Sequence, residues 1–148
     1  MERQTIFSEF EQHGIWYLSL KGSILKDLYP ENGMREMADN DVLYDSGKQK
    51  EVMQIMLENG YTAESVGKSH HDVYMKPPVL NFELHTALFG EYHSPNLYNY
   101  YLDTKCLMQK DEGNHYGYHF NDEDFYVFMT AHEWKHFRAC LKNKTCTN

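Results

Sequence analysis

Hydrophobic positions along the chain follow two patterns, and both predict strands. The run from Ile15 to Leu20 is almost continuously apolar, which is typical of a strand covered on both faces. Residues 80–85 alternate instead, with Phe82 between the polar Asn81 and Glu83, so this strand has one apolar and one polar face. Further strands are predicted at residues 39–44, 61–66, 71–76 and 116–120.

Helical spacing of apolar residues, ended by glycine or proline, predicts the remaining elements. Ser46 and Gln49 have the spacing of a capping box for a helix that ends at Gly60. Asn121 is the expected N-cap of a helix that runs to about Leu141. The other expected helices cover residues 4–13, a segment from 23 to just before 30, and residues 94–102. Strands interleaved with helices indicate a mixed α/β or α+β fold.

Length and charge restrict the class of protein. The 148 residues favour a single domain over residues 1–141, followed by a polar tail at 142–148 that we expect to fray. Hydrophobic residues make up 41% of the chain, which is typical of a globular protein. The net charge of −8 argues against nucleic acid as the main partner, because phosphate binding needs clustered lysine and arginine.

Cysteine usage and hydropathy indicate the compartment. Three cysteines give no even disulfide framework, which fits a reducing environment. The N-terminus lacks the apolar stretch of a signal peptide, and no apolar run approaches membrane-spanning length. We therefore expect a cytoplasmic protein with no membrane partner, while the oligomeric state stays open.

Candidate chemistry lies in a set of carboxylates and a glycine turn. Asp39 and Asp41 occupy positions i and i+2 of a predicted strand, so their side chains should share one face. Two carboxylates held together are unfavourable unless a divalent cation neutralises them. Glu83 lies on the polar face of a second strand, and Lys21-Gly22-Ser23 forms a turn after an apolar strand. Together they indicate metal-dependent nucleotidyl transfer.

The ordered motifs Leu20-Lys21-Gly22-Ser23, Met34 through Asp41, and Phe82-Glu83-Leu84-His85 resemble the uncharacterised bacterial nucleotidyltransferase family of the DNA polymerase beta superfamily. A later segment, Asp124 through His136, is similar to a helix of that family, so the resemblance covers about residues 15–137. It implies a central mixed sheet flanked by helices, with a further helix at the C-terminal end.

The resemblance also implies roles for individual residues. Asp39 and Asp41 match the pair that coordinates two Mg²⁺ (or Mn²⁺) ions, and Glu83 matches the third carboxylate of the metal site. The matching positions for phosphate binding are Gly22 and Ser23 in the turn, with Lys21 and Arg35 as possible charge partners. The implied reaction moves a nucleoside monophosphate from a nucleoside triphosphate to an acceptor hydroxyl and releases pyrophosphate. The acceptor, a small molecule or a protein, is not identified by the sequence.

Departures from the family pattern keep a second hypothesis open. Asn40 stands between the aspartates, where the pattern is usually apolar. Family members commonly continue with further helices after the histidine-containing segment, while this sequence stops twelve residues past His136. The alternative is therefore a catalytically silent protein that binds a nucleotide or a partner in a regulatory role.

Histidines offer a third, less favoured hypothesis. His132-Glu133-Trp134-Lys135-His136 satisfies the His-Glu-x-x-His pattern of zinc peptidases. No histidine, aspartate or glutamate follows His136 to act as a third ligand, so only a structural zinc site with Cys140 would remain. We expect His132 and His136 to pack with aromatic residues or to approach the nucleotide pocket. His85 is interpreted as a polar-face neighbour, and the pair His70-His71 as part of a solvated loop.

Overall fold

The computed structural model describes residues 2–21, 40–78, 80–92 and 94–144. Within them the helices are α1 (Glu2–Gln12), α2 (Gln49–Glu58), α3 (Pro95–Tyr100) and α4 (Asp122–Lys144). The strands are β1 (Tyr17–Ser19), β2 (Asn40–Tyr44), β3 (Thr62–Ser65), β4 (His71–Lys76), β5 (Leu80–His85), β6 (Met108–Lys110) and β7 (Gly117–Phe120). Short 3-10 helices occupy Ser46–Lys48 and Thr104–Leu107.

The seven strands of the described residues form one mixed sheet in the order β3-β4-β5-β2-β1-β7-β6. The pairs β2–β5 and β1–β7 are parallel, and the other neighbours are antiparallel. β2 therefore lies near the centre of the sheet, between β1 and β5. Because β2 and β5 are parallel and adjacent, the residues predicted on these two strands are brought side by side.

One face of the sheet packs against α1 and α2. Ile6 and Phe10 come from α1 and Val52 and Met56 from α2, and all are fully buried. The sheet contributes every second residue of its strands, including the aromatic and aliphatic side chains Tyr17, Val42, Tyr44, Tyr74, Phe82 and Leu84. Alternation along the strands thus produces this core.

The opposite face packs against α4 and α3. Its core includes Leu18 and Leu43 from the sheet and Phe128 from α4, which is 1% exposed. Asn121 caps α4, since its Oδ1 accepts a hydrogen bond of 2.7 Å from the backbone N–H of Asp124. This face also carries Asp41 and Glu83, so α4 lies over the sheet face that contains the predicted carboxylates.

The predicted fold class, a mixed α/β domain with a central sheet, flanking helices and a C-terminal helix, is confirmed. The alternating strand at residues 80–85 has the predicted bounds, whereas β1 is shorter than the apolar run that predicted it. The capping box was wrong: Asp45 Oδ1 accepts a hydrogen bond of 3.1 Å from the Gly47 N–H at the start of a 3-10 helix. β6 was not predicted, because three residues show no readable alternation.

Several predicted features lie outside the described residues, namely the helix from 23 to 30 and the site residues Gly22, Ser23, Arg35 and Asp39. Across the part of the chain that is described, no helix combines the length and the apolar character needed to cross a membrane.

Candidate functional site

The register between β2 and β5 aligns the two carboxylates of the site. Asp41 pairs with Glu83, and two residues further along Leu43 pairs with His85. In adjacent parallel strands, residues at the same register point to the same face. The two predicted carboxylates thus lie together on the face covered by α4. They are 42 positions apart in the sequence, and the pairing of β2 with β5 brings them together.

Asp41 is almost fully buried and contacts two side chains, the imidazole of His85 and the ammonium of Lys21. It is 8% exposed, and its Oδ1 lies 3.2 Å from His85 Nε2 and 3.3 Å from Lys21 Nζ. Burial alone raises the pKa of this carboxyl, but the hydrogen bond from His85 and the charge of Lys21 outweigh it and hold the pKa below its usual value. Asp41 is therefore an ionised carboxylate at neutral pH, held in place by these two contacts.

His85 belongs to this site, which its interpretation as a polar-face neighbour missed. The side chain is 10% exposed, and its Nε2 lies 3.9 Å from Glu83 Oε2 and 3.2 Å from Asp41 Oδ1. Its alternation with Glu83 placed it on the correct face. What the sequence did not show is that β5 lies beside β2, which turns a surface position into a contact with Asp41.

Asp41, Glu83 and His85 form a group that could hold a metal ion. Each offers one ligand atom, and these atoms all lie within 4.8 Å of one another. Carboxylate oxygens suit Mg²⁺ and Mn²⁺, while imidazole suits later transition metals. The donor set therefore fits a divalent cation, and the imidazole favours Mn²⁺ over Mg²⁺ relative to a site built from carboxylates alone.

α4 adds basic groups above the carboxylates. Burial lowers the pKa of Lys135, the charge of Lys21 lowers it further, and Glu83 acts in the opposite direction. Burial also lowers the pKa of His132, to about 3, with Lys21 as the next contribution and Asp41 opposing it. These couplings join the helix and the sheet in one electrostatic site. The segment after β1 therefore supplies one basic side chain to the site, Lys21, and α4 supplies a second, Lys135.

His132 and His136 pair with each other. Their Nε2 atoms are 3.1 Å apart, and the His132 ring lies 5.9 Å from that of Phe128. The expectation that they pack with aromatic residues or approach the site is met by His132. Among the described residues, the groups arranged to hold a metal contain neither histidine, and Cys140 is exposed. The geometry thus gives no support to a zinc peptidase.

The pair His70-His71 is less solvated than expected, although His70 does lie in the loop before β4. His71 begins β4, and both residues are half-buried. The rings of His70 and His71 lie 6.1 and 5.3 Å from that of His85. The strand predicted at residues 71–76 has the bounds of β4. Only the expected exposure of these histidines was wrong, because it depends on the neighbouring strand β5 and not on a local pattern.

A cavity of about 300 Å³ opens on the same face of the sheet, beyond the carboxylates. Leu43 lines it two residues after Asp41, and Thr86 lines it directly after His85. Phe89, Tyr101 and Lys105 contribute to the other walls. Asp41, Glu83 and His85 are not among the described residues that line it, so the cavity adjoins the site along β2 and β5 without including these side chains.

The sequence profile of the family described as "Uncharacterised nucleotidyltransferase" matches residues 1–144, so the chain belongs to this family. Part of the fold is similar to a lincosamide antibiotic adenylyltransferase, LnuA, solved with bound lincomycin: identity is 21% and the TM-score 0.50, over 58% of this chain and 54% of that one. The antibiotic-resistance factor ANT(2'')-Ia is 12% identical, with a TM-score of 0.47 over 58% and 45% of the respective chains.

The matched region spans about half the length of these two proteins. At this identity the similarity to the lincosamide adenylyltransferase shows the fold alone. No curated protein matches the sequence significantly. The resemblance inferred from the motifs is confirmed by the family match.

Proposed function

We propose that this member of the nucleotidyltransferase family transfers a nucleoside monophosphate from a nucleoside triphosphate to an acceptor hydroxyl and releases pyrophosphate. The observation that carries the proposal is the pairing of Asp41 with Glu83 on adjacent parallel strands, in a site enclosed by α4. Family membership supports nucleotidyl transfer, and this geometry supports Asp41 and Glu83 as the residues of the chemical step.

The proposed ligands of the divalent cations, Mg²⁺ or Mn²⁺, are Asp41 and Glu83 together with Asp39. Support comes from the carboxylate oxygens of Asp41 and Glu83, which lie within 4.8 Å of each other. When bound, the cations would neutralise the carboxylates and stabilise the charge that develops on the phosphate oxygens. Asp39 is proposed from its position two residues before Asp41.

Lys21 is the proposed phosphate partner for which the structure gives contacts. Its Nζ lies 3.3 Å from Asp41 Oδ1, and its side chain is 22% exposed. An ammonium group held at the edge of an acidic site can attract a triphosphate and stabilise its negative charge. Gly22, Ser23 and Arg35 are proposed to bind the phosphates with it, on the basis of their positions in the family motif.

Glu83 is proposed to receive the proton of the acceptor. Its side chain is 30% exposed, against 7% for Asp41, so it is the carboxylate that an incoming hydroxyl can reach. The acceptor oxygen then forms a bond to the α-phosphorus, and the bond from that phosphorus to the bridging oxygen of the β-phosphate breaks. Pyrophosphate leaves with the electrons of that bond, and Glu83 returns its proton to solvent.

A small molecule is the acceptor class to test first. The cavity of about 300 Å³ beside the site has the size and aromatic lining of a small-molecule pocket. The similar adenylyltransferase was solved with lincomycin, which makes hydroxyl-bearing antibiotics a suitable first panel. A protein acceptor is the other outcome that the panel should include.

The experiment measures pyrophosphate release from each nucleoside triphosphate, with and without Mg²⁺ or Mn²⁺, across that acceptor panel. Asp41→Asn should reduce the rate by at least ~10²-fold, as expected for losing a charged group that stabilises the transition state. His115→Asn, at an exposed position away from the site, should leave the rate unchanged. Equal rates for Asp41→Asn and the unmodified protein would overturn the role of Asp41.

Calorimetry with the same triphosphates separates an enzyme from the regulatory alternative. Metal-dependent nucleotide binding together with product formation supports the proposal. Tight binding without product across the whole panel would instead identify a catalytically silent binding protein. The two measurements together are needed, because binding alone is common to both.

A further inference from the structure

We propose that His70, His71 and His85 form a binding site for a transition-metal ion such as Zn²⁺ or Co²⁺, beside the acidic site, with which it shares His85. Each histidine offers one ring nitrogen, and the three nitrogens lie within 4.8 Å of one another. Three imidazoles that converge in this way are the donor set of open zinc sites, in which a water molecule or substrate takes the fourth position.

The sheet holds these imidazoles in place. His71 and His85 are directly opposite each other in the antiparallel pair β4–β5, so their side chains share a face. The carbonyl of His70 accepts hydrogen bonds from the Thr86 N–H at 2.8 Å and the Thr86 hydroxyl at 3.1 Å. Strand pairing thus positions two ligands, and a backbone hydrogen bond just beyond the strand end positions the third.

His85 has the environment of a metal ligand. Its Nε2 lies 3.2 Å from Asp41 Oδ1, so an N–H at Nε2 donates to the carboxylate and leaves the lone pair on Nδ1. Nδ1 is buried and has no hydrogen-bond partner among the described residues, although the residue is only 8% exposed. A histidine that donates one nitrogen to a carboxylate while the other binds metal is the usual arrangement in metalloproteins.

This site differs from the acidic one in the metal it selects. Imidazole nitrogens favour Zn²⁺, Co²⁺, Ni²⁺ and Cu²⁺ over Mg²⁺, whereas Asp41 and Glu83 supply the oxygens that Mg²⁺ prefers. The ammonium of Lys135 lies 3.5 Å from His70 Nε2, and its positive charge opposes a nearby cation. Removing that charge should therefore strengthen metal binding, a response that an unrelated surface site would not give.

The test titrates the full chain with Zn²⁺ alone by calorimetry, and with Co²⁺ alone by its visible absorption. We expect one equivalent to bind with the Co²⁺ spectrum of a four-coordinate nitrogen site. His71→Asn and His70→Asn should each weaken binding by more than the ~10- to 100-fold typical of losing a residue that merely supports a ligand. Lys135→Met should tighten it, and His115→Asn should leave it unchanged.

Circular dichroism of each variant checks that the fold is retained. The two histidine variants are independent, so the test stays valid if one of them fails to fold.

Unchanged Zn²⁺ affinity in a folded His71→Asn or His70→Asn variant would overturn the proposal. So would a Glu83→Gln variant that loses as much Zn²⁺ affinity, since the ion would then sit in the acidic group. Loss of binding only in His136→Asn would assign the metal to α4. None of these readouts depends on nucleotidyl transfer, so the proposed function can fail independently.

Discussion

His132 should make the stability of the protein unusually sensitive to mild acid. The side chain is 8% exposed, and its Nδ1 has no hydrogen-bond partner among the described residues. Burial, the charge of Lys21, the neighbouring His136 and the charge of Lys135 lower its pKa to about 3, against the attraction of Asp41. The folded protein therefore holds this imidazole neutral at every pH at which it is normally handled.

The sign and size of the effect follow from linkage. In the unfolded chain the pKa of a histidine is ~6.5, so below that pH the unfolded state binds a proton that the folded state does not. Each pH unit below that value lowers the free energy of unfolding by about 1.4 kcal/mol until the pH approaches the folded pKa. Going from about pH 7.5 to 4.5 should thus remove about 2.7 kcal/mol through His132 alone, a large part of a typical domain stability of ~5–15 kcal/mol.

The assay compares the unmodified protein with His132→Asn by urea unfolding at several pH values between 7.5 and 4.5. Other groups titrate in both proteins, so the difference between the two curves isolates His132. The difference should change by about 2.7 kcal/mol over the range, with the variant losing less stability in acid. His115→Asn, an exposed histidine, serves as the control and should run parallel to the unmodified protein. Parallel curves for His132→Asn would refute the argument that a neutral, buried imidazole lies beside Lys21.

Three further substitutions test the core, a buried polar network and the cationic edge of the site. Phe128→Ala should lower the free energy of unfolding by about 3–5 kcal/mol, measured by urea unfolding, because this 1% exposed ring joins α4 to the sheet. Asp72→Asn should lower it by about 1–3 kcal/mol, because Asp72 accepts hydrogen bonds from Tyr44, Gln49 and the Gly67 N–H. Lys21→Met should weaken triphosphate binding by roughly 10-fold in calorimetry, as expected for one charged hydrogen bond.

Each of these has a matched control at an exposed position. Val127→Ala on α4 and Glu64→Gln on β3 should change stability by less than about 0.5 kcal/mol, and Lys50→Met on α2 should leave nucleotide affinity unchanged. A loss at Val127 equal to that at Phe128 would show that the helix, and not its packing, is being measured. An Asp72→Asn protein of unchanged stability would contradict the network, and equal weakening at Lys50 and Lys21 would indicate a general charge effect.

Much of the fold could be predicted because its signals are local. The alternation in residues 80–85 gave the bounds of β5, and Asn121 gave the start of α4, since each depends on a few neighbouring residues. Prediction was weaker where tertiary contacts decide the outcome. β6 pairs with β7 over three residues without any periodic pattern, and Asp45 replaced Ser46 as the cap because a 3-10 turn precedes α2.

The candidate site divides in the same way. The sequence supplied Asp41, Glu83 and Lys21, whose residue types and positions pointed to one chemistry. The structure pairs Asp41 with Glu83 on adjacent strands and places its Oδ1 3.3 Å from the ammonium of Lys21. The sequence gave no reason to include Lys135 in the site or to treat His70 as more than a surface residue. Asp39, Gly22, Ser23 and Arg35 stay predictions, since they lie outside the described residues.

By itself the sequence determined which side chains share a strand face, because side-chain alternation is a property of the backbone alone. It thereby determined that Glu83 and His85 point the same way and that a carboxylate-based chemistry was available. Only the tertiary structure decided that β5 lies parallel to β2 and that α4 covers their shared face. Sheet order and helix placement depend on how the two cores pack as a whole, and this packing cannot be read from any local sequence pattern. That packing turned an outward-facing histidine into a partner of Asp41.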